Sequence, residues 1–262
     1  MLRPAEHGFQ MDTLSSNRIQ KPPGAGVKPL ASAMKALALL DHLATRRTSV
    51  RPAELAAELE EGRATIYQRL QTLVAAGWVE ALPDGRYRLT LRAARLAKAA
   101  AEQAGLGDRA MQVLEALVAE TRETASLAVL EDALPCIVQR VEPQGMLRAE
   151  LRVGSTLTLH RSASGCVLVA FADAATLQRL RRGRAVLPDD AVLAAVRRAG
   201  HAVFDGQGME DVRAAAVPVL DPDGRCVAAL SLVGPVGRFD AAACVAPMRH
   251  AAQRLAQMLE GR

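Results

Sequence analysis

The chain has little of what a metalloprotein, a disulfide scaffold or a membrane protein needs. Its four cysteines, Cys136, Cys166, Cys226 and Cys244, lie far apart in 262 residues, with no C-x-x-C pair and no histidine at ligand spacing. That pattern argues for buried thiols in a reducing cytoplasm rather than a metal site or disulfide framework. No apolar run approaches the roughly 20 residues that span a bilayer. The N-terminus has no signal-peptide stretch, so no membrane partner is expected. There is no G-x-S-x-G elbow and no Walker loop, and only five histidines are present. These absences remove the sequence signatures of the common hydrolases and nucleotide enzymes. No cofactor and no metal ion is expected.

What is present is an apolar half, enough for a sizeable core in one large or two modest domains, and a net charge of +5 with an uneven distribution. Between Lys28 and Lys98 twelve Lys and Arg face seven Asp and Glu, a local net of +5; the residues before carry +1 and those after −1. A basic excess confined to one segment suits phosphate neutralisation, although an ordinary solvated surface has the same composition.

That segment contains RATIYQRLQTLVAAGWVE at 63–80, followed by LPDGRYRL. Ile66, Leu70, Leu73 and Val74 recur at helical spacing, Gly77 sits where a helix stops, and a short hairpin turns at Pro83, Asp84 and Gly85. Upstream, a first helix has Ser32 as its cap and Ala33, Leu37, Leu40 and Ala44 on its inner face. A second begins at Pro52 and buries Leu55, Ala56 and Leu59, and Glu60, Glu61 and Gly62 turn into the third. Three helices and a hairpin make a winged helix-turn-helix over 28–90, a module that places its second motif helix in the major groove of double-stranded DNA. Thr65, Gln68 and Thr72 lie opposite the apolar stripe, and Arg69 sits at its border. Arg51, Arg63, Ala64 and Tyr67 complete the expected DNA-facing set on the helices. In the wing, Arg86 and Arg88 alternate with Tyr87 and are expected on one side, toward backbone phosphates.

Residues 1–27 show no period and read as a flexible tail. LRAARLAKAAAEQA, in the interval 91–106, is rich in helix formers and reads as a linker helix whose alanine-rich face could pair with a second copy. The remainder, 107–262, mixes both periodicities. Helices are expected at Val113–Val118, 165–171, 174–182, 190–199 and 241–259. Strands are expected at 126–131, 136–142, 147–152, 213–220 and 226–233, with turns at Asp132 and at Asp221-Pro222-Asp223-Gly224. The natural assembly is an α+β domain with an antiparallel sheet.

SAMKALALLDHLA, the 63–80 segment, GSTLTLHRSASGCVLVA at 154–170, VRRAGHAVF at 196–204 and AAAVPVLDPDGRCVAALSLVGPVGRF at 214–239 together resemble the IclR family of bacterial transcription regulators. The resemblance covers about residues 30–260. It implies an N-terminal winged helix, a linker helix and a C-terminal GAF-like effector domain. It also implies a homodimer or homotetramer that represses or activates a catabolic operon from a palindromic operator, in the cytoplasm. A small organic acid is the implied effector. Its carboxylate would lie at the helix start formed by Ala163, Ser164 and Gly165, where free N–H groups and the dipole favour an anion, with the Ser231 hydroxyl assisting. Without the resemblance, Ser164 reads as a simple helix cap and Ser231 as a satisfied strand hydroxyl.

Some positions depart from the family pattern. Val233 replaces a small polar residue, Ala214 a common cysteine, and Asp211 a usual glycine. With Phe204 and Val212, Ala214 and Val233 would form a wall apolar enough for a larger or partly aromatic acid. Gln68 stands where arginine is frequent, which favours adenine over guanine at one base. Two other classes stay open. An enzyme could use His160, Ser162, Ser164 and Cys166, close in sequence; a DNA-binding protein without a ligand would leave the large neutral C-terminal region without a purpose.

Overall fold

A computed structural model describes residues 28–103, 107–131, 133–143, 151–206 and 211–260. The tail expected at 1–27, the linker end at 104–106 and the turn residue Asp132 lie outside them. The N-terminal elements are α1 (Ala31–Ala44), α2 (Pro52–Glu58), α3 (Arg63–Ala75), β1 (Val79–Ala81) and β2 (Tyr87–Leu89), in the expected order. Pro52 opens α2, where its missing N–H leaves no helix bond unmade. The α3 C-terminus closes in a Schellman motif: Trp78 N–H donates to the Leu73 carbonyl and Gly77 N–H to that of Val74, both at 2.9 Å. This closure needs the left-handed backbone that Gly77 adopts, with φ of +75°. Leu39, Leu43, Leu55, Ile66, Leu70, Leu73, Val79 and Tyr87 share one buried cluster. Val50 also pairs with Tyr87 through backbone bonds of 3.0 and 2.8 Å, which fixes the approach to α2 against the wing.

The face of α1 differs from the expectation. Leu30 is at the N-cap and Ser32 lies inside the helix, without a capping bond. Leu39 and Leu43 are buried, flanked by Ala36 and Leu40, whereas Ala33 and Ala44 are exposed and Leu37 is 54% exposed. The run ASAMKALALL offers apolar side chains on several sides, so its period alone does not select a face; packing against the rest of the domain does.

The helix expected after the wing is α4 (Arg92–Gln103), and none of its residues is buried. Its first residue is tied back to α3. Arg92 Nη1 donates to the Ala76 carbonyl at 2.5 Å, and the guanidinium lies 4.9 Å from the centre of the Trp78 ring. Thr90 Oγ1 adds a bond of 2.8 Å to the Gly77 carbonyl.

The C-terminal elements are α5 (Asp108–Thr121), β3 (Thr124–Glu131), β4 (Leu134–Val141), α6 (Ala163–Ala170), α7 (Ala174–Arg182), α8 (Asp190–Ala199), β5 (Ala202–Asp205), β6 (Val212–Leu220), β7 (Cys226–Pro235) and α9 (Ala241–Glu260). The strands form one antiparallel sheet in the order β4-β3-β7-β6-β5. Strand alternation divides it into two faces. Ala215, Val217, Leu230 and Leu232 pack on Leu114, Leu117, Met248 and Leu255 of α5 and α9. Ala214, Ala216 and Ala229 pack on Cys166 and Val167 of α6 and on Leu193 and Val196 of α8.

β3 and β4 pair as the expected hairpin up to Glu131 and Leu134, and the Asp221–Gly224 turn is where the sequence puts it; there Asp221 N–H meets the Arg225 carbonyl at 2.9 Å and Gly224 has φ of +76°. The strand expected over 147–152 falls mainly on 147–150, outside the described residues, and Leu151 and Arg152 are not in a strand. β5 was not expected, because four residues at a sheet edge carry too little period to register.

Candidate DNA interface and effector site

The outer face of α3 is the one the sequence predicts. Arg63, Ala64, Thr65, Tyr67, Gln68 and Thr72 are all exposed, while Ile66, Leu70 and Leu73 point inward. Thr72 Oγ1 donates to the Gln68 carbonyl at 2.9 Å, so its proton is held within the helix. Arg69 is held differently. Its guanidinium pairs with Glu61, which Lys35 also approaches at 3.4 Å, and its side chain is only 15% exposed. Burial alone would raise the Glu61 carboxyl, but the hydrogen bonds and charges of Arg69 and Lys35 outweigh it and hold that carboxyl below its ordinary value. Arg69 thus locks the entry turn of α3 instead of standing on its exposed face.

The wing arginines do not share one free face. Arg88 pairs with Glu80, its cross-strand partner, at 2.5 Å. Arg86 precedes β2 and folds back, donating from Nη1 to the Ser49 carbonyl at 2.9 Å, with Asp84 at 3.5 Å. Tyr87 points inward as expected and is buried. Arg51 is exposed at the start of α2, its backbone N–H donating to Glu54 at 3.1 Å. Three of the five arginines named from the sequence are therefore engaged by carboxylates, an arrangement that depends on cross-strand and turn geometry and leaves no trace in residue spacing.

The residues expected to hold the effector come together between α6 and the sheet face beneath it. Phe204, Ala214 and Val233 are cross-strand neighbours in one row of β5, β6 and β7. Ser231 lies one pleat along in β7, opposite Ala216 on one side and Ser126 on the other. Val212 shares the face by alternation but sits at the end of β6, opposite Pro235. Ala163, Ser164 and Gly165 form the first turn of α6. The α6 turn and the strands directly under it are closed, with Ala163 and Ala214 0%, Ser164 2% and Ser231 4% exposed, whereas Phe204, Val212 and Val233 are half-buried.

Ser162, not Ser164, caps the helix. Its Oγ accepts from Gly165 N–H at 2.9 Å and donates to the Thr158 carbonyl at 2.7 Å. The Gly165 N–H is thus spent on the cap, and the glycine serves packing instead. A Cβ there would lie 2.3 Å from the Thr158 carbonyl oxygen and 2.6 Å from that of Leu159. The N–H groups of Ala163 and Ser164, in the first turn, have no partner within the helix. Ser231 Oγ donates to the Ser126 carbonyl at 3.3 Å, a long bond within its sheet.

One residue on this face had no signal in the sequence. Arg140, in β4, is the cross-strand partner of Ser126. Its side chain is 5% exposed; Nε donates to Glu142 at 3.0 Å and Nη1 to Ser126 Oγ at 3.1 Å. A single arginine in CIVQRVE reads as a solvated strand residue; only the coverage of β4 buries it.

The cluster near Cys166 has no catalytic geometry. Cys166 is fully buried, with Sγ against the carbonyl oxygens of Leu159 and His160 at 3.7 and 3.9 Å. Burial pushes its thiol up to about 11, so it stays protonated at neutral pH and no imidazole activates it. Among the described residues no group of three His, Cys, Asp or Glu could hold a metal ion, and no helix is long and apolar enough to cross a membrane.

Comparison with known proteins agrees with this layout. Residues 32–83 match the model of the IclR helix-turn-helix domain, and residues 98–258 match that of the bacterial transcriptional regulator IclR C-terminal domain. The glycerol operon regulatory protein of Streptomyces griseus is 30% identical over 220 residues, covering 80% of this chain and 87% of that protein. The crystal structure of an IclR regulator from Alicyclobacillus acidocaldarius superposes with a TM-score of 0.78 at 23% identity, over 88% of this chain and all of that one. An IclR homologue from Microbacterium hydrocarbonoxydans, complexed with 4-hydroxybenzoate, gives 0.72 at 24% identity over 86% of this chain and 98% of that one. With a winged helix of the right face and a family model spanning most of the chain, this protein belongs to the IclR family of bacterial transcriptional regulators.

Proposed function

We propose that this regulator acts in the cytoplasm as a homodimer or homotetramer on a palindromic operator, repressing or activating a catabolic operon in response to a small organic acid. The observation that carries the reading is the sheet face beneath α6. There the apolar row Phe204, Ala214 and Val233 adjoins the Ser231 hydroxyl, within a domain joined to the winged helix through α4. An apolar wall beside a few polar donors is the usual make-up of a small-molecule site, and it favours a carboxylate on an aromatic or branched body. The 4-hydroxybenzoate held by the Microbacterium homologue is an acid of that kind. Domain limits near 28–90, 91–106 and 107–262 fit α4 as the element between reader and sensor. Gln68, Thr65 and Arg63 would meet base edges or phosphates, and Arg88 and Arg86 would contact phosphates once their carboxylate partners yield.

The test has two parts. Genomic fragments retained by the purified protein are sequenced, and a two-fold repeated site is expected beside a catabolic operon. Calorimetry with aliphatic and aromatic acids, with and without that fragment, should then find an acid that changes DNA affinity, as reciprocal coupling requires. An unrepeated site bound by a monomer, or DNA affinity indifferent to every acid that binds, would overturn the assembly or the regulation respectively.

A further inference from the structure

We propose that Arg140 is the charge anchor of the effector site: the carboxylate of the acid is held by its guanidinium together with the hydroxyls of Ser126 and Ser231. The proposal rests on the reading of the sheet face beneath α6 as an effector site. The register places Arg140 of β4, Ser126 of β3, Ser231 of β7 and Ala216 of β6 in one cross-strand row. Ser126 and Ser231 are 2% and 4% exposed, and the Arg140 side chain 5%. Neighbouring strands lie about 4.8 Å apart, so the arginine in contact with Ser126 Oγ is about one strand from the Ser231 hydroxyl.

The bonding of Arg140 is incomplete. Nε meets Glu142 and Nη1 meets Ser126, but Nη2 is fully buried and makes no hydrogen bond. A charged donor removed from water and left unpaired is among the costlier arrangements a protein interior can hold. Its carboxylate partner, Glu142, has a side chain 36% exposed, at the rim. An anion seated on the row would satisfy Nη2. The planar guanidinium matches a carboxylate through paired parallel bonds, which an ammonium or a helix terminus does not reproduce. Ser126 Oγ accepts from Nη1, which leaves its own proton free to donate; Ser231 Oγ has only the 3.3 Å bond to the Ser126 carbonyl to give up.

The row leads directly onto the apolar one. Ser231 is two residues from Val233 on the same face, and Ala216 two from Ala214. A carboxylate on the arginine and serines would therefore direct the body of the acid along Ala214 and Val233 toward Phe204. The segment before α6 is held along the same strand: Gly154 N–H donates to the Ile137 carbonyl at 2.7 Å and Leu157 N–H to that of Pro135 at 2.8 Å.

The experiment uses the full chain with acetate, pyruvate, succinate, benzoate and 4-hydroxybenzoate, and with acetamide and benzamide as neutral counterparts. Binding is read by thermal shift and calorimetry. At least one acid should bind the wild type, its amide at least tenfold more weakly. Arg140→Gln should lose tenfold or more for that acid, Ser126→Ala less, and Arg140→Lys should recover part of the loss. Because Arg140→Gln could disturb the sheet, the wild-type guanidinium is also followed by nitrogen NMR, assigned by its absence in Arg140→Lys; it should shift as the acid is added. An acid bound equally by wild type and Arg140→Gln, or one leaving the guanidinium resonance unmoved, overturns the anchor while the effector site stands. Amides binding as well as acids, or no acid binding at tens of millimolar, overturns the carboxylate site and the anchor with it.

Discussion

Gly165→Ala puts a methyl group where the chain has no room. The added Cβ would lie 2.3 Å from the Thr158 carbonyl oxygen, 2.6 Å from that of Leu159 and 2.7 Å from Leu159 Cα. All are backbone atoms, so no side-chain rotation relieves them. Ordinary contact requires the 158–159 segment to retreat by about 1 Å. That segment accepts the Ser162 hydroxyl at 2.7 Å, and Ser162 in turn caps α6, so the displacement strains the cap as well. Overpacking of this kind costs about 2–3 kcal/mol. For a chain of this size each kcal/mol lowers Tm by about 2–4 °C, so a fall of roughly 4–12 °C is expected by calorimetry or circular dichroism. Gly237→Ala is the control: its Cβ would meet nothing within 4 Å, and a change below about 0.5 kcal/mol is expected. A Gly165→Ala variant with unchanged Tm, or one no worse than Gly237→Ala, would show that the close approach of the loop to α6 is not what the glycine is for.

The two neighbours on α3 should separate by assay. Gln68→Ala is expected to cost about 1–3 kcal/mol at the operator and relax one base position, whereas Arg69→Ala, losing its bond to Glu61, should cost about 1 kcal/mol of stability and leave base preference intact; binding to operator variants and thermal melts distinguish them. Arg92→Ala removes the contact of α4 with Ala76 and Trp78, and it should reduce the effect of a bound acid on operator affinity without changing acid affinity in the absence of DNA, both measured by calorimetry. Glu123 is buried against Gly234, and this burial raises its carboxyl above the ordinary value although Arg238 at 2.8 Å opposes the rise. Folding then favours the protonated acid, so the contribution of this group to stability is fullest below the unfolded value near 4.5 and is lost as pH rises through the raised folded value. Glu123→Gln should flatten that fall in denaturant titrations across the range, and equal slopes in both proteins would contradict it.

Much of the architecture follows from local pattern. The stripe of Ile66, Leu70 and Leu73 selects the inner face of α3, Gly77 ends it, Pro52 opens α2, and the Asp-Pro-Asp-Gly turn joins β6 to β7; each is a property of a few consecutive residues. The exposed face of Gln68 and Thr65 follows from the same period. The face of α1 does not, because an alanine- and leucine-rich helix has several apolar stripes and its partners choose among them. Nor do the fates of the arginines. Arg69 and Arg88 meet Glu61 and Glu80 only because a turn and a hairpin bring residues eight apart into contact. Arg140 is buried because β4, β3 and β7 pair in a particular register, which sets Arg140, Ser126 and Ser231 in line across residues up to 105 positions apart. Periodicity is a local quantity and determined which residues face inward; charge pairing and the polar row depend on non-local register, which only the folded sheet decides.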